Sequence, residues 1–332
     1  MSKDNSQKQS DSTIGVVLFN FGAPRDLDDI YDFQVRLFSD PDVFGLPIPQ
    51  FCLNMLARII ASVRTTKTRA KYERIDGISP LLKISEQQRD LLQADLGNSG
   101  LKAKVVLAMR YSYPGIEDAL SELKKEGVNR VIFLPLFPQY SLATTENFYK
   151  ALHHTLKKYS FSAEFIHDYH LHPNFIEAWT ERIKELIRGI DISNHHLLFS
   201  AHGLPMKILK LGDPYKEQIE AGAAAIYEQS HLPVPYSVSY QSRTGPVEWI
   251  GPDTLSVVKD LAQAGKGIIL VPLSFVSDNF ETNYENDIEQ KEIFIEHGGR
   301  NLIRVPALNE SPKFIRCLRN IIIEHARENR YS

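Results

Sequence analysis

Apolar runs of strand length alternate along this chain with segments of helical period. The runs VVLFNF (16–21), KVVLAM (104–109), RVIFLPL (130–136), LLFSA (197–201) and GIILVPL (267–273) predict strands, with a weaker one over SAEFIHDY (162–169). Their Val, Ile and Leu residues follow one another without polar alternation, the pattern of strands covered on both faces in a parallel sheet. Helical periodicity predicts helices over 26–38, 85–96, 115–126, 174–188, 214–230, 253–264, 281–297 and 311–328. Strands and helices in this order define an α/β protein.

Two blocks occur twice. VVLFNFGAP (16–24) matches LLFSAHGLP (197–205) as strand, small-residue turn, Gly, apolar residue and Pro. VIFLPLFPQYS (131–141) matches IILVPLSFVS (268–277), each after a predicted helix that ends at a Gly, in EGVNR or QAGKG. One such pair arises by chance among buried strands, but two in the same order indicate duplication. The chain therefore reads as two related α/β lobes, 13–170 and 171–330, behind a polar leader at 1–12 expected to be frayed; the last helix is expected to pack back on the first lobe. In open α/β sheets, ligands bind beyond the carboxyl ends of the strands, where strand order reverses. The residues just after the repeated strands are thus the candidates.

Composition narrows the function classes. Among 332 residues, 38 Lys and Arg against 41 Asp and Glu leave a net charge of -3, which argues against a nucleic-acid partner. The two cysteines, Cys52 and Cys317, form no CxxC pair, so neither a disulfide framework nor a thiolate zinc site is expected. The polar N-terminus lacks the apolar run of a signal peptide, and no stretch reaches the ~18 apolar residues of a membrane span. A cytoplasmic protein is expected.

His202 directly follows the buried strand LLFSA and precedes Gly203, where the first lobe has Phe21. An imidazole at that place is positioned to act as base or ligand. After the second repeat comes SDNFETNYENDIEQKEIF (277–294), carrying Glu281, Glu285 and Glu289 at i, i+4 and i+8. On an α-helix each such step turns only about 40°, so the carboxylates form one slowly drifting stripe. On a solvated face the stripe is ordinary; in a cleft it raises carboxyl pKa values and can hold a metal or relay protons. Histidine with carboxylate and no thiolate makes a mixed nitrogen and oxygen site, suited to passing on Fe(II), Co(II), Ni(II) or Zn(II). The other histidines, including the cluster HDYHLH (167–172), read as surface, helix-end or cleft-lining residues without metal.

The sequence resembles the ferrochelatase family, whose members insert ferrous iron into a porphyrin. The resemblance runs from about 14 to 327 and rests on NFGAP (20–24), VRLFSDPDVF (35–44), YERIDGISPL (72–81), MRYSYP (109–114), PQYSLATTENF (138–148), LFSAHGLP (198–205), GDPY (212–215), YQSRTGPVEWIGP (240–252) and FVSDNFET (275–282). It implies two similar Rossmann-like lobes, each a parallel sheet flanked by helices, around an active-site cleft. It also implies that His202 is the essential metal ligand and acceptor of pyrrole protons. Glu281 would be its carboxylate partner across the macrocycle, Glu285 a further station on the metal or proton path, and Asp278 a support of that path. Phe21, Leu37, Phe38, Val43 and Phe44 resemble the apolar walls, and Arg64 and Lys67 the cations near the porphyrin propionates. Tyr72 and Ser79 belong to a motif at the same cleft. Arg110, Tyr111, Tyr140, Tyr169 and Trp249 match further lining positions.

The reaction fits this casting. A free porphyrin must lose its pyrrole N–H protons as the dication enters, which needs a neutral base on one face. Binding the macrocycle bent would expose its nitrogen lone pairs, a distortion driven by contacts remote from the metal. The resemblance implies Fe(II) as substrate and no organic cofactor. Asn279 stands where the family pattern has a second histidine; it accepts a hydrogen bond but does not titrate. The chain ends soon after the last helix, without the cysteine-bearing extension of cluster-containing members, so no iron–sulfur cluster is expected. The apolar segment FGLPIPQFCLNMLARIIASVR (44–64) corresponds to a lip over the cleft. An apolar lip suits peripheral membrane contact and favours protoporphyrin IX over the more polar coproporphyrin III. A monomer is expected. The alternatives are a coproporphyrin III ferrochelatase, a cobalt or nickel chelatase of the same fold, and a non-catalytic porphyrin- or haem-binding protein.

Overall fold

The computed structural model describes residues 13–44 and 48–328, with only the backbone at 44 and 328. The leader, the Phe44 ring and residues 45–47 of the lip lie outside the described residues. The first sheet holds β1 (Ile14–Asn20), β2 (Ala103–Met109), β3 (Arg130–Pro135) and β4 (Ser162–Phe165); the second holds β5 (His195–His202), β6 (Tyr236–Gln241), β7 (Gly267–Pro272) and β8 (Leu302–Arg304). Their orders are β2-β1-β3-β4 and β6-β5-β7-β8, and every pairing is parallel. The sheets thus repeat one topology, as the paired motifs require. Every residue of β1 and β7 is buried, which is why these runs carry no polar alternation. Strands β6 and β8 were not expected from the pattern. In β6, YSVSYQ mixes Ser and Tyr, and β8 is only LIR.

The α-helices are α1 (Ile30–Phe38), α2 (Pro41–Phe44), α3 (Gln50–Glu73), α4 (Leu81–Asn98), α5 (Ile116–Lys125), α6 (Thr145–Leu156), α7 (Pro173–Leu186), α8 (Met206–Leu209), α9 (Tyr215–Ser230), α10 (Thr254–Gln263), α11 (Lys291–Glu296) and α12 (Pro312–Glu328). The predicted α-helix over 281–297 is corrected: Glu281–Gln290 is a π-helix that continues into α11. Its hydrogen bonds reach one residue further than in an α-helix, a geometry rare at this length and frequent at functional sites.

One apolar core joins the lobes. Leu18, Leu92 and Leu107 of the first lobe belong to the same buried cluster as Trp179, Phe199, Phe314 and Leu318. Each fully buried large side chain contributes about 1.5–3 kcal/mol. Helix α12 lies against the first lobe, with Arg319 Nη1 3.3 Å from Asp95 and Arg130 Nη2 donating to the Ala326 carbonyl at 3.4 Å. Both sheets leave strand order reversed between their first and third strands, placing the ends of β1, β3, β5 and β7 at topological switch points.

Candidate active site

His202 is the last residue of β5, the strand at the second switch point. Its backbone is held from both sides: the His202 N–H donates to Ser274 Oγ at 3.0 Å, and the Tyr215 hydroxyl donates to the His202 carbonyl at 3.0 Å. Phe275 stands edge-on to the imidazole, with centroids 6.2 Å apart. Burial pushes the His202 pKa down to about 4, so at neutral pH the ring is an uncharged base with a free lone pair. Gly203 follows because nothing larger fits: a Cβ there would lie 2.7 Å from the Gln241 carbonyl oxygen. The Gly203 N–H donates to that same oxygen at 2.8 Å.

The carboxylates come from the π-helix that follows β7. Burial raises the Glu281 pKa. Burial, then repulsion from Glu281, pushes Glu285 up to about 8, against the opposing hydrogen bond from Ser242. Gln241 Nε2 donates to Glu285 Oε2 at 3.1 Å, and Ser242 Oγ donates to the same oxygen at 2.5 Å. Gln241 is also the register neighbour of His202 across β5 and β6, so one residue links the base to the carboxylate series. Glu289 meets Lys71 of α3 at 3.6 Å. The series thus runs from half-buried Glu281 to an outer carboxylate paired with a cation of the other lobe.

Helix α3 closes against the π-helix by aromatic contact as well. Tyr72 stacks on Phe280 at 4.6 Å, and Phe280 on Tyr284 at 5.4 Å. Lys71 Nζ sits 4.7 Å above the Tyr284 ring, and Arg74 pairs with Glu292 at 2.5 Å. The Tyr72 hydroxyl pKa is raised, first by burial and then by the charge of Glu281. Asn279 is buried and caps the turn into the π-helix: its Oδ1 accepts from Thr282 N at 2.9 Å, and its own N–H donates to Thr282 Oγ1 at 2.8 Å.

The remaining expected residues divide into walls and supports. Phe21, Leu37, Phe38 and Trp249 are partly exposed, and Val43 is exposed. Phe21 meets Tyr111 edge-on at 4.7 Å, and the Arg64 guanidinium lies 5.5 Å over Phe38. Lys67 is exposed one helical turn from Arg64. Trp249 is drawn to the His202 turn by a bridge to Pro205. Tyr72, Ser79 and Tyr111 are buried behind the surface rather than on it. Asp40 binds Arg110 Nη2 at 2.5 Å, the Tyr111 hydroxyl at 2.6 Å and Asn147 Nδ2 at 3.0 Å. Burial alone would raise the Asp40 pKa; these hydrogen bonds and the arginine charge outweigh it and lower the value. Ser79 Oγ accepts from Leu81 N at 3.4 Å at the start of α4, and the Tyr140 hydroxyl donates to Glu146 at 2.9 Å.

Two residues stand apart from the cleft surface. Tyr169 packs in the interlobe core against Phe175 at 5.6 Å, because the loop after β4 turns toward α12. Asp278 is taken up entirely in holding the segment before the π-helix: it accepts from Arg304 Nη1 at 2.5 Å, Asn309 Nδ2 at 2.7 Å and Ala307 N at 3.3 Å. The HDYHLH histidines do not line the cleft either. His170 pairs with Asp168 at 2.8 Å, and His172 caps α7 by accepting from Asn174 N at 3.2 Å. Gln241, Ser242, Lys71 and Tyr215 had no individual signal in the sequence, since their roles come from partners far along the chain.

This architecture, paired parallel sheets with a histidine at the end of one central strand and a helix of carboxylates after the other, is a chelatase fold. SirB from Bacillus subtilis, solved with Fe3+, matches with a TM-score of 0.57 over 96% of this chain and 98% of its own, at 12% identity. The sirohydrochlorin chelatase SirB from Bacillus subtilis subspecies spizizenii in complex with cobalt matches with a TM-score of 0.55 over 95% of this chain and 96% of its own, at 9% identity. At these identities the likeness speaks for the fold. The family model "Ferrochelatase" matches residues 13–326. The "Ferrochelatase" of Aquifex aeolicus is 41% identical over 93% of this chain and 98% of its own, and that of Trichodesmium erythraeum is 38% identical over 94% and 82%. The chain belongs to the ferrochelatase family and is a metal chelatase that inserts iron into porphyrin.

Proposed function

We propose that the porphyrin is protoporphyrin IX and the product protohaem, with His202 as base and metal ligand and the π-helix carboxylates as the path for protons. The observation that carries the chemistry is the link from the strand-end His202 to its register neighbour Gln241, whose Nε2 donates to Glu285 Oε2 at 3.1 Å, in surroundings whose burial holds the imidazole neutral and raises the carboxyl pKa. Glu285 carries a proton at neutral pH, so the pyrrole proton taken by His202 enters the glutamate series only as Glu285 gives up its own proton outward toward Glu289. The entering dication lowers the proton affinity of Glu281 and Glu285 and drives the proton outward toward Glu289. Fe(II) is the substrate metal, with His202 and Glu281 as its ligands on the way in. Phe21, Leu37, Phe38 and Trp249 form the apolar walls, and Arg64 and Lys67 take the propionates.

What supports protoporphyrin over coproporphyrin III is the outer face of α3. Phe51 (76% exposed), Met55 (55%), Ile59 (55%) and Val63 (77%) follow one another at every fourth position, while Leu53, Ala57 and Ala61 are buried on the other side. The helix also carries Arg58, Arg64 and Lys67 and no acid before Glu73. An apolar stripe with basic flanks suits the boundary of an anionic lipid surface, where a lipophilic porphyrin dissolves. No helix among the described residues is long and apolar enough to cross a membrane, so the contact proposed is peripheral. The test is anaerobic turnover with Fe(II), following loss of free-porphyrin fluorescence for both porphyrins in parallel. Turnover of protoporphyrin, lost in His202→Ala by at least about 100-fold while porphyrin binding persists, is the expected result. Preference for coproporphyrin would overturn the substrate assignment; no turnover with either, despite tight binding, would overturn the ferrous chelatase reading.

A further inference from the structure

Ser242 opens the loop after β6 with φ at +68°. This left-handed region is cheap for Gly and costly for most residues with a Cβ. A serine here bears a backbone cost that glycine would avoid. What its side chain does in return is specific: Oγ donates to Glu285 Oε2 at 2.5 Å. The loop behind it is pinned by Arg243, whose Nη2 donates to the Ile250 carbonyl at 2.9 Å, so the hydroxyl is presented from a braced turn.

Gln241 holds the same oxygen from below, and its amide cannot flip cheaply. Its Oε1 accepts from Ser200 Oγ at 2.6 Å and from Asn286 Nδ2 at 2.7 Å, which leaves Nε2 for Glu285. Ser200, Gln241 and Asn286 are all buried, so a flipped amide would face two donors with a third. The chain of donors continues through Thr254 to Ser239. Asn286 sits on the π-helix itself, so this network fixes the helix and the Glu285 carboxylate together.

We propose that Ser242, backed by Gln241, is a positioning residue that fixes the Glu285 carboxylate in the relay between His202 and the outer end of the π-helix. The inference rests on the chelatase mechanism above. Strain held at a functional site in exchange for geometry predicts that stability and activity respond oppositely to its relief.

The experiment compares Ser242→Gly, which removes the hydroxyl and relieves the backbone, with Ser242→Asn, which tolerates the left-handed conformation and restores a donor. Turnover is measured with Fe(II) and protoporphyrin, together with thermal unfolding. The infrared carboxyl stretch that disappears in Glu285→Gln is followed in each variant. Expected for Ser242→Gly are a kcat lower by about tenfold, an unchanged KM for porphyrin, a melting temperature equal or higher, and a carboxyl band moved to higher frequency. Ser242→Asn should recover most of kcat. A Ser242→Gly enzyme with wild-type kcat, or one whose kcat and stability fall together without rescue by Asn, overturns the proposal while leaving the chelatase reading intact. If the wild type itself fails to turn over, that reading falls, and the band alone decides the contact: an unmoved band overturns it.

Discussion

The raised proton affinity of Glu285 makes the protein's stability depend on pH in a calculable way, and Glu285→Gln isolates the effect. In the unfolded chain this carboxyl titrates near its ordinary 4.5; in the fold it titrates near 8. Below 4.5 both states carry the proton and the residue adds no pH dependence. Between the two values the folded state keeps a proton that the unfolded state releases, so stability falls as pH rises. Above about 8 both are ionised and the full cost of the buried charge is present. Each pH unit of that interval is worth about 1.36 kcal/mol, so the whole interval carries at most about 4–5 kcal/mol. That upper figure already contains the repulsion from Glu281 and Glu289 and the attraction of Lys71. Glutamine keeps the shape and can still accept from Gln241 and Ser242, but it never ionises. Thermal unfolding of wild type and variant at half-unit steps from pH 5 to pH 8.5 should show equal melting temperatures at the acid end. At the alkaline end the variant should melt about 3–6 °C higher. A gap that is independent of pH, or that closes as pH rises, would refute the assignment of a desolvated, proton-holding carboxyl.

Other measurements follow from the same geometry. The pH profile of kcat/KM, which reports the free enzyme, should keep its acid limb near 4, where His202 protonates, rather than at the ordinary histidine value of 6.5; an acid limb at the ordinary value would show that the essential base is not buried. Gly203→Ala places a Cβ 2.7 Å from the Gln241 carbonyl and should destabilise the protein by about 1–3 kcal/mol, read from urea unfolding. Phe51→Asp with Val63→Asp should lower co-sedimentation with anionic lipid vesicles while leaving turnover of detergent-dispersed protoporphyrin unchanged. Equal sedimentation would remove α3 as the lipid-facing element.

The two-lobed reading followed from buried strands whose apolar runs are local and long. Burial on both faces demands an unbroken apolar run, and repetition of two such runs exposes the duplication. Strands β6 and β8 escaped because β6 carries serines that bond to buried partners and β8 has only three residues. The same polar character that hid β6 is what equips its end, Gln241 and Ser242, to hold Glu285. The partners of Asn279 likewise appear only in space, where it exchanges hydrogen bonds with Thr282 in the turn that leads into the π-helix.

The fold class, the paired lobes, the strand-end His202 and the run of glutamates after the second repeat are legible along the chain, because each is written in neighbouring residues. Contacts between distant segments set the rest: the glutamates ride a π-helix, Tyr72 and Lys71 of the other lobe close over it, and Tyr169 and Asp278 hold the fold rather than face the cleft. They also set the protonation states on which the chemistry turns. A pKa is set by burial and by charges brought close from distant parts of the chain, and no local pattern of residues encodes that distance.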